Sequence, residues 1–197
     1  MLLPASCPIC GRLGAAPCGE CVLLLRRAPP GPLPPYLDAC HAFLAYDGAA
    51  ARDLVARLKY RNARSALGWL AQGVAALVDA RAVSEVTWAP TTPDRRRARG
   101  FDQAELLARR VSRTLGRPCH GLLRRRPGPH QTGRTLSERR HGVAFEPAAR
   151  LWRRPPTGPV LVVDDVVTSG ASLAAAAKTL RAAGVPSVLA AAAARTP

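Results

Sequence analysis

Val160-Leu161-Val162-Val163-Asp164-Asp165-Val166-Val167-Thr168-Ser169-Gly170-Ala171-Ser172-Leu173 reads as a strand, an acidic pair and a turn into a helix. The apolar run Val160–Val163 has the pattern of a strand buried on both faces of a parallel sheet. It delivers Asp164 and Asp165 to the strand's carboxyl end, where open α/β sheets bind ligands. Thr168, Ser169 and Gly170 then turn the chain, and a helix begins at about Ala171 with Leu173, Ala176, Ala177 and Leu180 on one face. Free backbone N–H groups and the positive end of the helix dipole would face an anion held at that turn. Gly170 permits close approach, and the hydroxyls of Thr168 and Ser172 add donors. The nucleotide-binding pattern G-x-x-x-x-G-K-[ST] is absent, so this is not a Walker loop. An acidic start to a helix would account for one aspartate, but not for two at a buried strand end. Carboxylates that accept from vicinal hydroxyls, beside donors for a phosphate, suit a sugar phosphate.

Working outward, Gly184 and Pro186 stop that helix, and Ser187–Ala193 is the last strand candidate. Towards the amino terminus, Ala39–Tyr46 reads as a strand. Leu54, Val55 and Leu58 form a short helical stripe, and Leu67, Leu70, Ala71, Val74, Leu77 and Val78 a longer one. Glu85–Ala89 has strand composition and runs into the loop Pro90-Thr91-Thr92-Pro93. Asp102-Gln103-Ala104-Glu105 is a capping box, opening a helix that buries Ala104, Leu107, Ala108, Val111 and Leu115. Gly121–Arg140, rich in Arg, Pro and Gly, reads mainly as a long loop. Strands separated by helices predict an α/β fold with a mainly parallel sheet flanked by helices. The expected organisation is a cysteine module at 1–27, a stiff Pro-rich linker at 28–38 and the main domain at 39–197.

Cys7-x₂-Cys10-x₇-Cys18-x₂-Cys21 has the paired spacing of a tetrahedral Cys₄ zinc site. Gly11 and Gly19 would give each turn its backbone freedom. Such a knuckle is structural, and the metal supplies most of its folding energy. The competing readings are two disulfides or a redox dithiol, less suited to a chain without a secretory leader. Cys40 and Cys119 have no paired partner.

The chain has 197 residues and a formal charge of +16. Only Lys59 and Lys178 are lysines, leaving 27 of the 29 basic residues as arginines. That excess fits contact with nucleic-acid phosphates, and equally fits compositional bias in a chain rich in Ala, Pro and Gly. Aromatic residues make up 5%, too few for an evident base-stacking platform. No apolar stretch reaches membrane-spanning length and no signal peptide is visible, so the expectation is a cytoplasmic protein without membrane insertion. Pro93-Asp94-Arg95-Arg96-Arg97-Ala98-Arg99-Gly100, Arg124-Arg125-Arg126 and Arg139-Arg140 read as basic loops, the last two as a cover for the site or a contact for a polyanion. His120, His130 and His141 lack ligand spacing and read as solvent-exposed loop residues.

Val162–Gly170 resembles the motif with which type I phosphoribosyltransferases bind 5-phosphoribosyl-1-pyrophosphate (PRPP), with Ser169 where most members have Thr. The resemblance implies that Asp164 and Asp165, the candidate catalytic pair, contact the ribose hydroxyls. It assigns the 5-phosphate to Val167, Thr168, Ser169, Gly170, Ala171 and Ser172, and the pyrophosphate side to Ala89–Thr92 and Arg99. The order of motifs is more specific still. Four cysteines, then Leu58-Lys59-Tyr60, Arg99-Gly100-Phe101-Asp102-Gln103, Gln131–Phe145 and the acidic motif together resemble the ComF (ComFC-like) family of competence proteins. Asp102 stands where that family commonly has Asn, and Arg139-Arg140-His141-Gly142 where it often has R-x-x-N. The resemblance implies Mg²⁺-dependent phosphoribosyl transfer from PRPP, a glycosyltransferase reaction, to an acceptor that no segment identifies. It also implies the alternative of a non-catalytic, zinc-containing scaffold that senses PRPP. In DNA uptake such a protein would contact single-stranded DNA and other uptake proteins.

Overall fold

The computed structural model describes residues 6–57, 65–126 and 143–197. Four parallel strands form the main sheet: β1 (Ala39–Ala45), β2 (Glu85–Trp88), β5 (Val160–Val167) and β6 (Val188–Arg195). Their order across the sheet is β1-β6-β5-β2. A separate antiparallel pair joins β3 (Leu123–Arg125) to β4 (Phe145–Pro147). The helices are α1 (Gly19–Leu23), α2 (Ala49–Arg57), α3 (Leu67–Ala75), α4 (Pro93–Arg99), α5 (Gln103–Leu115), α6 (Ala149–Arg153) and α7 (Ala171–Ala182). The expected α/β class with a mainly parallel sheet flanked by helices is the observed one.

The apolar run in β5 feeds two cores because successive strand side chains point to opposite faces. Leu161 and Val163, with Ala191 and Ala193 of β6, pack with Leu70 and Val74 of α3 and Leu107 and Val111 of α5. Val160 and Val162, with Ala190 and Ala192, pack with Leu173, Ala176, Ala177 and Leu180 of α7. Each fully buried Leu or Val contributes roughly 1.5–3 kcal/mol against the chain entropy lost on folding. The alanines of β6 let helices on both faces come close to the sheet.

Several elements depart from the sequence expectation. β5 runs to Val167, so the two aspartates lie within it rather than beyond its end. The extension comes from β6, whose pairing continues through Asp164↔Ala192 and Val167↔Arg195. β6 itself reaches Arg195, and the helix expected as far as Val78 ends at Ala75. The basic segment expected as a loop is α4, with Thr92 as N-cap accepting from the Arg95 N–H, Pro93 in the first turn and Gly100 left-handed at the end. Leu123–Arg125, inside the expected long loop, is a strand because Phe145–Pro147 pairs with it. Leu58-Lys59-Tyr60, His130, Arg139-Arg140 and His141 lie outside the described residues, as do residues 131–142 of the stretch ending at Phe145.

Residues 26–38 run against the main sheet. Ala28 N–H donates to Phe43 O, and Ala45 N–H to Arg26 O. Gly31 lies over the buried Arg195, whose guanidinium fills the space a Cβ would need: Nη1 would be 2.0 Å from it. Asp38 then accepts from Ser187 Oγ at 2.6 Å, from the Val188 N–H at 2.8 Å and from Arg181. The Ser187, Val188 and Arg181 bonds outweigh the effect of burial and hold the Asp38 carboxyl below its ordinary value.

Candidate functional site

The ladder between β2 and β5 ends at Trp88↔Val163, while β5 stays paired with β6 for four more residues. From Asp164 onward, β5 has no strand on its β2 side, and a cleft of about 300 Å³ opens there. This is the carboxyl edge of the sheet, where strands diverge and ligands are received. Asp164, Asp165, Thr168 and Ser172 line one wall, Ala89, Pro90, Thr91, Arg95 and Arg99 another, with Tyr46, Asp102, Gln103 and Arg125 completing it.

Asp164 and Asp165 are both half-buried. Each carboxylate folds back onto the next backbone N–H: Asp165 N–H donates to Asp164 Oδ1 and Val166 N–H to Asp165 Oδ1, both at 2.8 Å. Burial first, then the charge of Asp165 and that of Asp102, push the Asp164 carboxyl well above the ordinary range. Two carboxyl groups are thus crowded at one point of the cleft, and a cation or hydroxyl donors in the ligand would favour their ionised forms.

Gly170 is left-handed at φ +73° and starts α7, with its carbonyl accepting from Ala174 N–H at 2.9 Å. A Cβ at Gly170 would lie 2.6 Å from Pro34 Cγ, so the turn is also constrained from the Pro-rich segment. The candidate phosphate residues therefore divide. Thr168 and Ser172 line the cleft, Ser169 and Ala171 are exposed at the turn beside it, and Gly170 is buried. Val167 is part of the α7-side core.

Opposite the aspartates, α4 sorts its arginines by face. Arg96 pairs with Glu105 and Arg97 with Asp94. Arg95 and Arg99, four residues apart and so on one helix face, line the cleft and have no carboxylate partner within ion-pair distance among the described residues. Arg125 enters from β3 and donates to Pro90 O at 3.5 Å. Burial, and then the nearby Arg95, pull Arg125 below the ordinary arginine value, with Asp164 and Asp102 opposing. Arg99 was legible from the sequence, and Arg125 only as part of a basic run that covers the site or contacts a polyanion; Arg95 was not singled out from its run. The i, i+4 spacing of Arg95 and Arg99 was the available signal, but it counts only once the segment is known to be a helix.

Asp102 is buried and joins two walls. Its Oδ1 accepts from Ala104 N–H at 3.0 Å and Glu105 N–H at 3.4 Å, capping α5 as expected, and its Oδ2 accepts from Thr91 N–H at 2.8 Å. Glu105 does not complete the capping box by reaching back; it binds Arg109 and Arg96. His120, expected in solvent, is two-thirds covered and its Nδ1 is paired with Glu85; neither residue lines the cleft.

The four cysteines gather. The sulfurs of Cys7, Cys10, Cys18 and Cys21 all lie within 4.8 Å of one another, and all are free of disulfides. Cys10 Sγ and Cys18 Sγ are 3.7 Å apart. A tetrahedral thiolate site with metal–sulfur bonds of about 2.3 Å has edges of about 3.8 Å, so this donor set could hold a zinc ion. Burial would raise the Cys7 thiol, but backbone N–H groups of Cys10, Cys18 and Ile9 outweigh it and bring it down to about 6. Burial and the neighbouring thiols push Cys21 up to about 12, so the cluster disfavours four thiolates without a cation. Gly11 is left-handed at φ +78° as its turn requires; Gly19 is not, and instead opens α1.

Fold and site together define an α/β protein with a charged cleft at the carboxyl edge of a parallel sheet and a tetracysteine cluster beside the main core. No protein-family model and no curated protein sequence matches the chain. Among solved structures it is similar to orotate phosphoribosyltransferase from Aeropyrum pernix, at 26% identity over 70% of this chain, with a TM-score of 0.38. The chain spans 59% of that protein's length. No helix among the described residues is long and apolar enough to cross a membrane.

Proposed function

We propose that this chain is a phosphoribosyltransferase-like protein of the ComF type that binds PRPP with Mg²⁺ in the cleft between β5 and β2. One observation carries the reading. Where the β2 ladder ends, two aspartates and the hydroxyls of Thr168 and Ser172 share the cleft with Arg95, Arg99 and Arg125, cations without a carboxylate partner within ion-pair distance among the described residues. A ligand with vicinal hydroxyls in its middle and phosphate groups at both ends matches that division of charge.

In this reading Asp164 and Asp165 accept from the ribose hydroxyls, and the Thr168–Ser172 turn holds the 5-phosphate at the start of α7. Arg95 and Arg99 face the pyrophosphate, with Thr91 N–H engaged by Asp102 to fix that loop. The carboxylates are hard oxygen donors that fit Mg²⁺, which when bound neutralises charge on the pyrophosphate. Transfer would form a bond from C1 of the ribose to a nucleophilic atom of the acceptor. The C1–O bond to pyrophosphate breaks, its electron pair leaving with the pyrophosphate. The arginines stabilise the negative charge on that leaving group. The cysteine cluster holds Zn²⁺ in a structural role.

The test is PRPP titration with and without Mg²⁺ on the wild type and on the double variant Asp164→Asn/Asp165→Asn, followed by pyrophosphate release across a panel of nucleobases. Equal PRPP binding by both forms would remove the site assignment. Binding without release from any acceptor would favour a PRPP-sensing scaffold. The charge of +16 supports a second part of the reading, contact with single-stranded DNA during uptake. A DNA affinity that hardly changes with salt would argue against it.

A further inference from the structure

Gln103 is buried in the wall of the cleft with its amide nitrogen unpartnered among the described residues. The residue is 4% exposed and lines the cleft, and its Nε2 has no hydrogen-bond acceptor. Among the described residues only one other buried side-chain nitrogen, Nε of Arg195, is in that state. A buried N–H group without an acceptor is costly and rare, and at a ligand site a missing ligand atom explains it. Asp102, next in the chain, does not serve Gln103: its oxygens accept from the Thr91, Ala104 and Glu105 N–H groups, and Gln103 Nε2 makes no bond to either. The acceptor must come from the cleft. Arg95 and Arg99 line the same cleft, so the oxygen that completes the set is an anionic one.

We infer that Gln103 is a ligand-binding residue whose carboxamide donates to a diphosphate oxygen, so that the cleft prefers a sugar phosphate bearing a diphosphate to the monophosphate alone. The assignment rests on the proposed PRPP reading and adds a selective contact to it. The Thr168–Ser172 turn binds the phosphate that both kinds of ligand share, and the Gln103 side binds the group that only one of them has.

Calorimetric titrations with PRPP, inorganic diphosphate and ribose 5-phosphate, each with Mg²⁺, test it on the wild type, Gln103→Leu and Gln103→Glu. A hydrogen bond to a charged oxygen predicts that Gln103→Leu weakens PRPP and diphosphate roughly tenfold or more, leaves ribose 5-phosphate within about twofold, and that Gln103→Glu weakens the first two further. Diphosphate and PRPP binding that survives Gln103→Leu overturns the inference and leaves the PRPP reading standing. Equal loss of all three ligands overturns it as well, because a selective contact cannot produce that pattern. A wild type that binds none of the three overturns both readings.

A second measurement does not depend on the variants' folding. The chain has three glutamines, Gln72, Gln103 and Gln131, so ¹⁵N-glutamine labelling gives three side-chain amide pairs. Diphosphate is expected to shift the Gln103 pair in the wild type and to spare that of Gln72, which lies outside the cleft on α3. Saturation by diphosphate with an unmoved Gln103 pair would sink the assignment.

Discussion

Asp102 accepts a 2.8 Å hydrogen bond from the Thr91 backbone N–H while its other oxygen caps α5. One side chain therefore fixes the loop after β2 to the helix that follows, and both line the cleft. Its carboxyl is held above the ordinary range by burial, against the pull of three N–H groups. Asp102→Ala removes the cap and orphans the Thr91 N–H, and is expected to cost about 1–3 kcal/mol. Asp102→Asn keeps one carbonyl oxygen for the cap and sheds a buried charge, so it should cost under about 1 kcal/mol. Urea unfolding of the two variants checks the order; equal losses would show that the cap bonds to Ala104 and Glu105 contribute nothing.

Asp164 should be a residue that function keeps at a cost to stability. Its carboxyl titrates above its unfolded counterpart, so between the two values the folded state holds the extra proton. Stability from this group is then greatest below the ordinary carboxylate range and falls as pH rises through the raised value. Asp164→Asn removes that fall. At pH 7 the variant is expected to unfold at a higher temperature than the wild type, while losing PRPP binding. Thermal melts from pH 3 to 8 check both the gain and its disappearance in acid. A variant less stable than the wild type at pH 7 would contradict the account.

The sheet and the acidic motif were legible in the sequence because both are local. Val160–Val163 needs burial on two faces whatever its partners, and Leu173, Ala176, Ala177 and Leu180 announce one face of α7 by spacing alone. The extension of β5 past Asp165 was not legible, since it depends on the length of β6, which lies across the sheet. Nor was the helical state of Pro93–Arg99. That helix buries no residue, so it carries no apolar period, and its only marks are the capping residues Thr92, Pro93 and Gly100. With the helix unread, Arg95 could not be grouped with Arg99. Arg125 reaches the cleft only through the pairing of β3 with β4, a contact between segments about twenty residues apart.

Gly170 meets two constraints, a left-handed backbone and the proximity of Pro34. Gly170→Ala is expected to destabilise by about 1–3 kcal/mol. Pro34→Ala in the same chain removes the Cγ that the new Cβ would strike, and should recover part of that loss. The left-handed part stays. A double-mutant cycle on unfolding free energies measures the coupling. Strict additivity would show that the Pro-rich segment does not press on the turn in solution.

The cysteine cluster and the main core draw on different sources of stability, so metal removal should separate them. Cys7, Cys18 and Cys21 form a small buried cluster with Ile9 packed against it, whereas the sheet is held by two large apolar clusters of its own. Metal analysis is expected to give one zinc per chain. Chelation should then expose the backbone N–H groups of Cys7, Gly11 and Val22, which are bonded within the knuckle, to hydrogen exchange. Those of β5 and β6 should stay protected, because their ladder does not pass through the metal. Cys10→Ser removes one thiolate at the exposed corner of the cluster and should reproduce the chelated pattern. If chelation left exchange at Cys7 and Val22 unchanged, or if the protein contained no zinc and no free thiols, the knuckle would be held by something other than a metal.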